Sequence, residues 1–227
     1  EGVERDLGIE NTTSTKKDKQ TVPNIFKWKA KRVFDYKRLS KEAAPRGEIG
    51  IPRILNMWEN YPFWFTFFTK LGFSVVLSPP SSHAIYEMGL ESIPSESVCY
   101  PAKISHGAIE ALLKAGIKTI FYPCVPFEKK EDEGANNHYN CPIVTSYSET
   151  LRNNMEELRQ DENITFLNFF VPYYDKKLLA KSLYENIIAA RLFRHQQRIE
   201  ETAGKPVDRD EWHMTPQTVN AYYNPTM

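Results

Sequence analysis

The chain is poor in cysteine, with three in 227 residues. An odd count at that density does not make a disulfide framework. It points to a cytoplasmic protein, where clustered cysteines more often serve metal or redox chemistry than crosslinking. Net charge is missing as well, because 29 basic and 29 acidic side chains cancel. No global field therefore draws the chain to nucleic acid or to an anionic membrane. No apolar run reaches the ~18 residues of a membrane span. Gly-x-Gly-x-x-Gly, P-loop, Gly-x-Ser-x-Gly and His-Glu-x-x-His motifs are absent, so dinucleotide, nucleotide and triad readings lack support. No solenoid-type repeat occurs. The chain starts on Glu1 without a charged-then-apolar leader, and both ends are polar, so it reads as a piece of something longer.

What is present divides into three stretches. Residues 1–44 read as a polar linker followed by a basic connector helix. Its Lys27, Lys29, Lys31 and Arg32 interleave with Phe26, Trp28 and Phe34. That mixture fits nucleic-acid contact or a surface helix docking a few aromatics, and the neutral balance of the whole chain favours the helix. Residues 45–195 carry the α/β pattern, and 196–227 read as a tail or the start of a further segment.

Within 45–195, strands are expected at 47–55, 73–77, 118–122 and 164–169. Helices are expected between and after them. The first spans 61–71, with Asn60 as N-cap and Pro62 in the first turn. Its Tyr61, Trp64, Phe65 and Phe68 form an apolar stripe, read as core rather than as a ligand platform. A short helix follows at 82–89, and another of about 15 residues begins at Tyr100, capped near Ser97 or Val98. Its Ile104, Ala108, Leu112 and Ala115 mark the buried face. A helix at 145–160 would be capped by Ser146 or Ser148, and one from 175 to about 194 closes the pattern. Strand–helix alternation of this kind predicts a Rossmann-like parallel sheet of four or more strands with helices on both faces.

The three cysteines stand in matched settings: Cys99-Tyr100-Pro101, Tyr122-Pro123-Cys124 and Tyr139-Asn140-Cys141-Pro142. Cys124 follows the third strand directly, Cys141 ends the long loop after it, and Cys99 stands before the helix that follows the second strand. All three can reach the carboxyl edge of the sheet, where ligands gather in such folds. A helix N-terminus favours thiolate, the metal-binding form. Three alternatives remain open on the residues alone. One is a [4Fe–4S] cluster on three thiolates with one iron free, and the second is a structural zinc of Cys3His type using His138 or His106. The third is three unligated thiols. His83, His195 and His213 carry no ligand pattern of their own.

Five stretches together resemble a domain of uncharacterised function in large proteins related to the activator of 2-hydroxyacyl-CoA dehydratases. They are Ile49-Gly50-Ile51-Pro52-Arg53, Asn60-Tyr61-Pro62-Phe63-Trp64, Pro94 through Lys103, Phe121-Tyr122-Pro123-Cys124 and Asn137 through Pro142. The resemblance spans about 45–190 and rests above all on the Cys99, Cys124 and Cys141 motifs. Such proteins also carry ATP-binding activase domains, for which this chain has no signature. The domain is similar to the dehydratase subunits, whose Rossmann-like domains hold a [4Fe–4S] cluster on three cysteines. The resemblance thus implies that Cys99, Cys124 and Cys141 ligate such a cluster. It also implies ATP-binding activase domains or subunits, and a dehydratase-like domain, as partners.

On that basis the expected function is an iron–sulfur redox module taking part in ATP-driven electron transfer or in 2-hydroxyacyl-CoA dehydration. A non-catalytic docking domain between activase and dehydratase-like parts, and a structural zinc domain, are the alternatives. Glu96, Ser97, His138 and Asn140 are expected around the thiols, as donors to sulfur. His138 is also a candidate proton donor to a leaving hydroxyl.

Overall fold

The computed structural model describes residues 23–189. The expectations for 1–20 and 196–227, the far end of the last helix, and His195 and His213 lie outside the described residues. The chain divides into two compact units, residues 1–36 and 37–227. The first holds α1 (Ile25–Phe34), opened by Asn24, whose Oδ1 accepts from the Lys27 N–H at 2.9 Å. Lys31 and Arg32 in its last turn complement the negative end of the helix dipole.

The second unit is built on four parallel strands, β1 (Glu48–Ile51), β2 (Ser74–Leu77), β3 (Thr119–Phe121) and β4 (Thr165–Leu167), in the spatial order β2-β1-β3-β4. Ile49 lies opposite Val75, Gly50 opposite Ile120 and Ile120 opposite Phe166. After β2 the chain crosses back over the sheet, so right-handed crossovers put helices on both faces. The first face is covered by α2 (Met57–Lys70). The Trp64 ring lies 4.3 Å from Phe121, and Phe68 lies 4.9 Å from it. The opposite face is covered by α4 (Tyr100–Lys114). A Cβ on Gly50 would stand 3.0 Å from Ile117 and 3.1 Å from Leu112, so glycine lets β1 and the end of α4 close up. The fold is the expected α/β one.

The aromatic stripe is core: Tyr61, Trp64, Phe65 and Phe68 are all buried. Each such burial stabilises the fold by roughly 1.5–3 kcal/mol. Ile104, Ala108 and Leu112 are buried too, while Ala115 is the exposed C-cap of α4.

Four elements have boundaries that differ from expectation. β1 stops at Ile51, because Pro52 cannot donate to the ladder. The chain then turns through Leu55, which takes the left-handed φ of 41°, and α2 starts at Met57 with Asn56 as N-cap. Asn60 is therefore inside the helix, and Pro62 lies beyond its first turn. The Asn60 amide is used across the fold, donating to Glu128 Oε1 at 3.0 Å. The helix expected at 145–160 is two: α5 (Pro142–Asn154) starts earlier, from Cys141, and breaks at extended Met155 before α6 (Glu156–Gln160). Ser146 and Ser148 thus sit inside α5 rather than capping it. Finally, α4 is capped by Cys99, not by Ser97 or Val98. The short α3 (His83–Met88) packs on α4, and α7 (Lys176–Leu183) runs into a π-helical turn, Tyr184–Ala189.

Candidate functional site

Each cysteine stands at the boundary of an element, two at helix starts and one after β3. Cys99 is the N-cap of α4 and Cys141 the N-cap of α5, each in extended ψ (149° and 138°) with no side-chain cap bond. Both are exposed, and all three thiols are free. A proline in each first turn helps fix the start, since its missing N–H has no helical partner there anyway. Cys124 leaves β3 and is pinned to the chain beyond β4. Its N–H donates to the Phe169 carbonyl at 3.0 Å, and its carbonyl accepts from Val171 N–H at 2.9 Å.

Behind the thiols lies a buried polar chain that sequence reading missed. The Tyr147 hydroxyl meets His106 Nε2 at 3.0 Å, and His106 Nδ1 meets the Ser92 hydroxyl at 2.8 Å. Ser148, next on α5, meets Cys124 Sγ at 2.9 Å. Burial pushes the Tyr147 hydroxyl up to about 12, and the neighbouring Cys99 adds to the shift. Tyr122, wholly buried, is raised by burial first and then by Cys124 and Tyr147. Its hydroxyl has no hydrogen-bond partner. Cys99 and Cys124 therefore border one cluster of buried hydroxyls. The signal that could have found it is the placement of Tyr147 and Ser148 six and seven residues after Cys141, on the face of α5 that carries Leu151 inward.

Burial raises the Cys124 thiol pKa and Glu149 raises it further, while the Ser148 hydrogen bond lowers it. His106 is buried in the core, and desolvation lowers it to about 4. With both ring nitrogens on hydroxyls, it is not a free fourth ligand, which removes one form of the Cys3His zinc reading. Among the described residues, no three His, Cys, Asp or Glu side chains are gathered so as to hold a metal ion. Thiols are the donor type an iron–sulfur cluster takes, and Cys99, Cys124 and Cys141 are the residues that would hold one, but they are not gathered as a ligand set here.

The residues expected around the thiols have other partners. Asn140 Nδ2 donates to the Val125 carbonyl at 2.8 Å and to Glu128 Oε1 at 2.9 Å. His138 Nδ1 donates to the Glu128 carbonyl. With the Phe127–Tyr139 antiparallel bridge, these bonds fold residues 125–140 into a closed loop rather than a loose charged one. Ser97 pairs with Ser95 at 2.8 Å, and Glu96 and Ser97 are exposed just before Cys99.

A cleft of about 340 Å³ is lined by Arg53, Ile54 and Leu55 after β1, Trp58 of α2, Ser81, and Tyr100, Pro101 and Ile104 of α4. Helices from opposite faces of the sheet meet there, so the cleft lies above the strand ends.

Strand order and flanking helices define a doubly wound parallel α/β domain. Residues 48–211 match the family model of the CoA enzyme activase uncharacterised domain (DUF2229), and the chain belongs to that family. No curated protein and no solved structure matches it. Family membership places the domain among activase-related proteins. Among the described residues, no helix is long and apolar enough to cross a membrane.

Proposed function

We propose that the domain is a redox module in which Cys99, Cys124 and Cys141 together ligate a [4Fe–4S] cluster. What supports this reading is the setting of the thiols, two of them exposed N-caps that make no cap bond and the third directly after β3. When bound, such a cluster supplies one-electron transfer. The chain's own part is to supply the three thiolates and to shield one side of the site with Tyr122 and Tyr147. A partner with an ATP-binding activase domain is the electron donor, and a dehydratase-like domain the acceptor or the site of dehydration. Glu96, Ser97, His138 and Asn140 border the site from its loops. The module works in the cytoplasm.

The test is anaerobic reconstitution of the full chain with ferrous iron and sulfide. About four irons per chain and a broad visible thiolate-to-iron absorbance are expected, both lost in each Cys→Ser variant. No bound iron and no absorbance would overturn the reading. The structure gives one specific reason to keep a second reading, a non-catalytic docking domain. Cys124 already has a partner in Ser148, and no three metal-capable side chains are gathered among the described residues. Binding of an activase-domain partner that survives all three Cys→Ser changes would favour it.

A further inference from the structure

Among the described residues of the second unit, seven large apolar side chains are exposed, and four of them fall together. Tyr139 is 67% exposed, Tyr174 47%, Phe170 46% and Leu178 46%. The half-buried Phe127 ring ties the two tyrosines to each other, its centroid lying 4.7 Å from that of Tyr139 and 5.4 Å from that of Tyr174. Tyr174 leads into α7, and Leu178 stands in the first turn of that helix. One turn further on, the Ser182 hydroxyl donates to the Phe170 carbonyl at 2.8 Å, which holds Phe170 against the same helix. Single exposed apolar side chains are ordinary, whereas a contiguous group of them marks a contact surface.

The surface is already organised. The Phe127–Tyr139 bridge and the two bonds of the Asn140 amide close the loop that carries Tyr139. Asp175 caps α7 by accepting from the Lys177 and Leu178 N–H groups at 2.8 and 3.0 Å. A face fixed in this way loses little conformational freedom when it is covered.

Its area and its charge select the occupant. The exposed fractions amount to about 400 Å² of aromatic and aliphatic surface. A standard interface covers about 800 Å² on each partner, of which about 450–500 Å² is apolar. The patch therefore supplies most of the apolar part of one such interface. Both signs of charge border it. Lys177 and Lys181 are exposed on α7, and Glu131, Asp132 and Glu133 are exposed on the loop beyond Lys129 and Lys130. A strongly acidic or strongly basic partner finds no match in such a border. A second copy does, because a two-fold axis through the patch turns the acidic run of one chain toward the lysines of the other.

We propose that Tyr139, Phe170, Tyr174 and Leu178 form the apolar core of a two-fold interface between two copies of this chain. The interface needs no cluster and goes beyond the redox reading. It bears on the thiols by position, since Phe170 is bridged to Cys124 and Tyr139 stands two residues before Cys141.

The experiment is sedimentation velocity of the full chain, without iron, from about 1 to about 200 µM. A concentration-dependent shift from monomer to dimer is expected. The double change Tyr139→Lys and Leu178→Lys, at two exposed positions, should weaken the dimer at least about tenfold. Met88→Lys puts the same charge on an exposed apolar position of α3, outside the patch, and should leave the dimer unchanged. Amide exchange of the wild type at low and high concentration is a second measurement that needs no variant, with added protection expected in 127–139 and 170–178. A chain that stays monomeric throughout overturns the inference and leaves the patch to a different partner. A dimer indifferent to the double change, one weakened equally by Met88→Lys, or added protection confined to other segments overturns it as well. Iron loading enters none of these readouts, so the two readings fall separately.

Discussion

His106 offers the clearest quantitative test of the buried network behind the thiols. Its ring is fully buried and bonded at both nitrogens, and desolvation lowers it from 6.5 to about 4. Between those values the unfolded chain binds a proton that the folded one refuses. Stability is therefore complete above the unfolded value and falls as pH drops from about 6.5 toward 4. Integrated from pH 7.5 to 5, the loss is about 2 kcal/mol, since the unfolded imidazole is mostly charged at pH 5 and the folded one mostly neutral. In urea this shifts the midpoint by about 1 M for an m-value near 2 kcal/mol/M. The assay is urea unfolding at pH 7.5, 6, 5.5 and 5, for the wild type and for His106→Gln. The variant is less stable at every pH, but its loss between 7.5 and 5 should be smaller by about 2 kcal/mol. Taking the difference cancels the other histidines and the carboxylates. Equal losses in the two proteins would refute the placement of His106 as a neutral, buried base.

Two other changes test the scaffold. A Cβ on Gly107 would lie 1.5 Å from the Ile85 carbonyl oxygen, where α3 crosses α4, so Gly107→Ala should destabilise by about 3 kcal/mol or more, read from thermal unfolding. Asn140→Ala removes two hydrogen bonds that close the 125–140 loop, so amide exchange there should quicken and stability fall by about 1–3 kcal/mol.

Much of the fold was legible because its signals are local. Alternating apolar strands, Gly72 and Gly116 at helix ends, and the Tyr61–Phe68 stripe all follow from chain stiffness and amphipathic period. The misplaced starts of α2 and α5 have a common cause. In each case a polar residue that looks like a cap, Asn60 or Ser146 and Ser148, was preferred over the one that geometry uses. Those side chains have tertiary or i−4 partners instead: Glu128 for Asn60, Cys124 for Ser148 and the Pro142 carbonyl for Ser146. The local settings of the cysteines were legible in part: Cys124 follows β3 and Cys99 opens α4 as read, while Cys141, read as the end of a loop, opens α5. The hydroxyl chain through Tyr147, His106 and Ser92 was not, because its contacts join residues 14 and 41 apart across separate helices. The Arg53 cleft escaped for the same reason, being assembled from four separate stretches.

Cys99 and Cys141 occupy positions where a different side chain would serve the helices better. An N-cap serine or threonine accepts a hydrogen bond from an early backbone N–H and stabilises a helix by about 0.5–2 kcal/mol relative to alanine. Neither cysteine makes such a bond, although both have the extended ψ that the role requires. If the positions matter only for starting α4 and α5, serine should be an improvement. Cys99→Ser and Cys141→Ser are accordingly expected to raise stability of the metal-free protein by about 0.5–1 kcal/mol each. In a chain of this size that is an increase in Tm of about 1–4 °C. The same variants should fail to load iron under anaerobic reconstitution. The combination separates a thiol kept for its chemistry from one kept for packing. A buried cysteine replaced by serine loses stability through the unpaired hydroxyl, whereas these two are exposed. A fall in Tm for both variants, with iron loading unchanged, would show that the thiols hold the helix starts in place and have no ligand role.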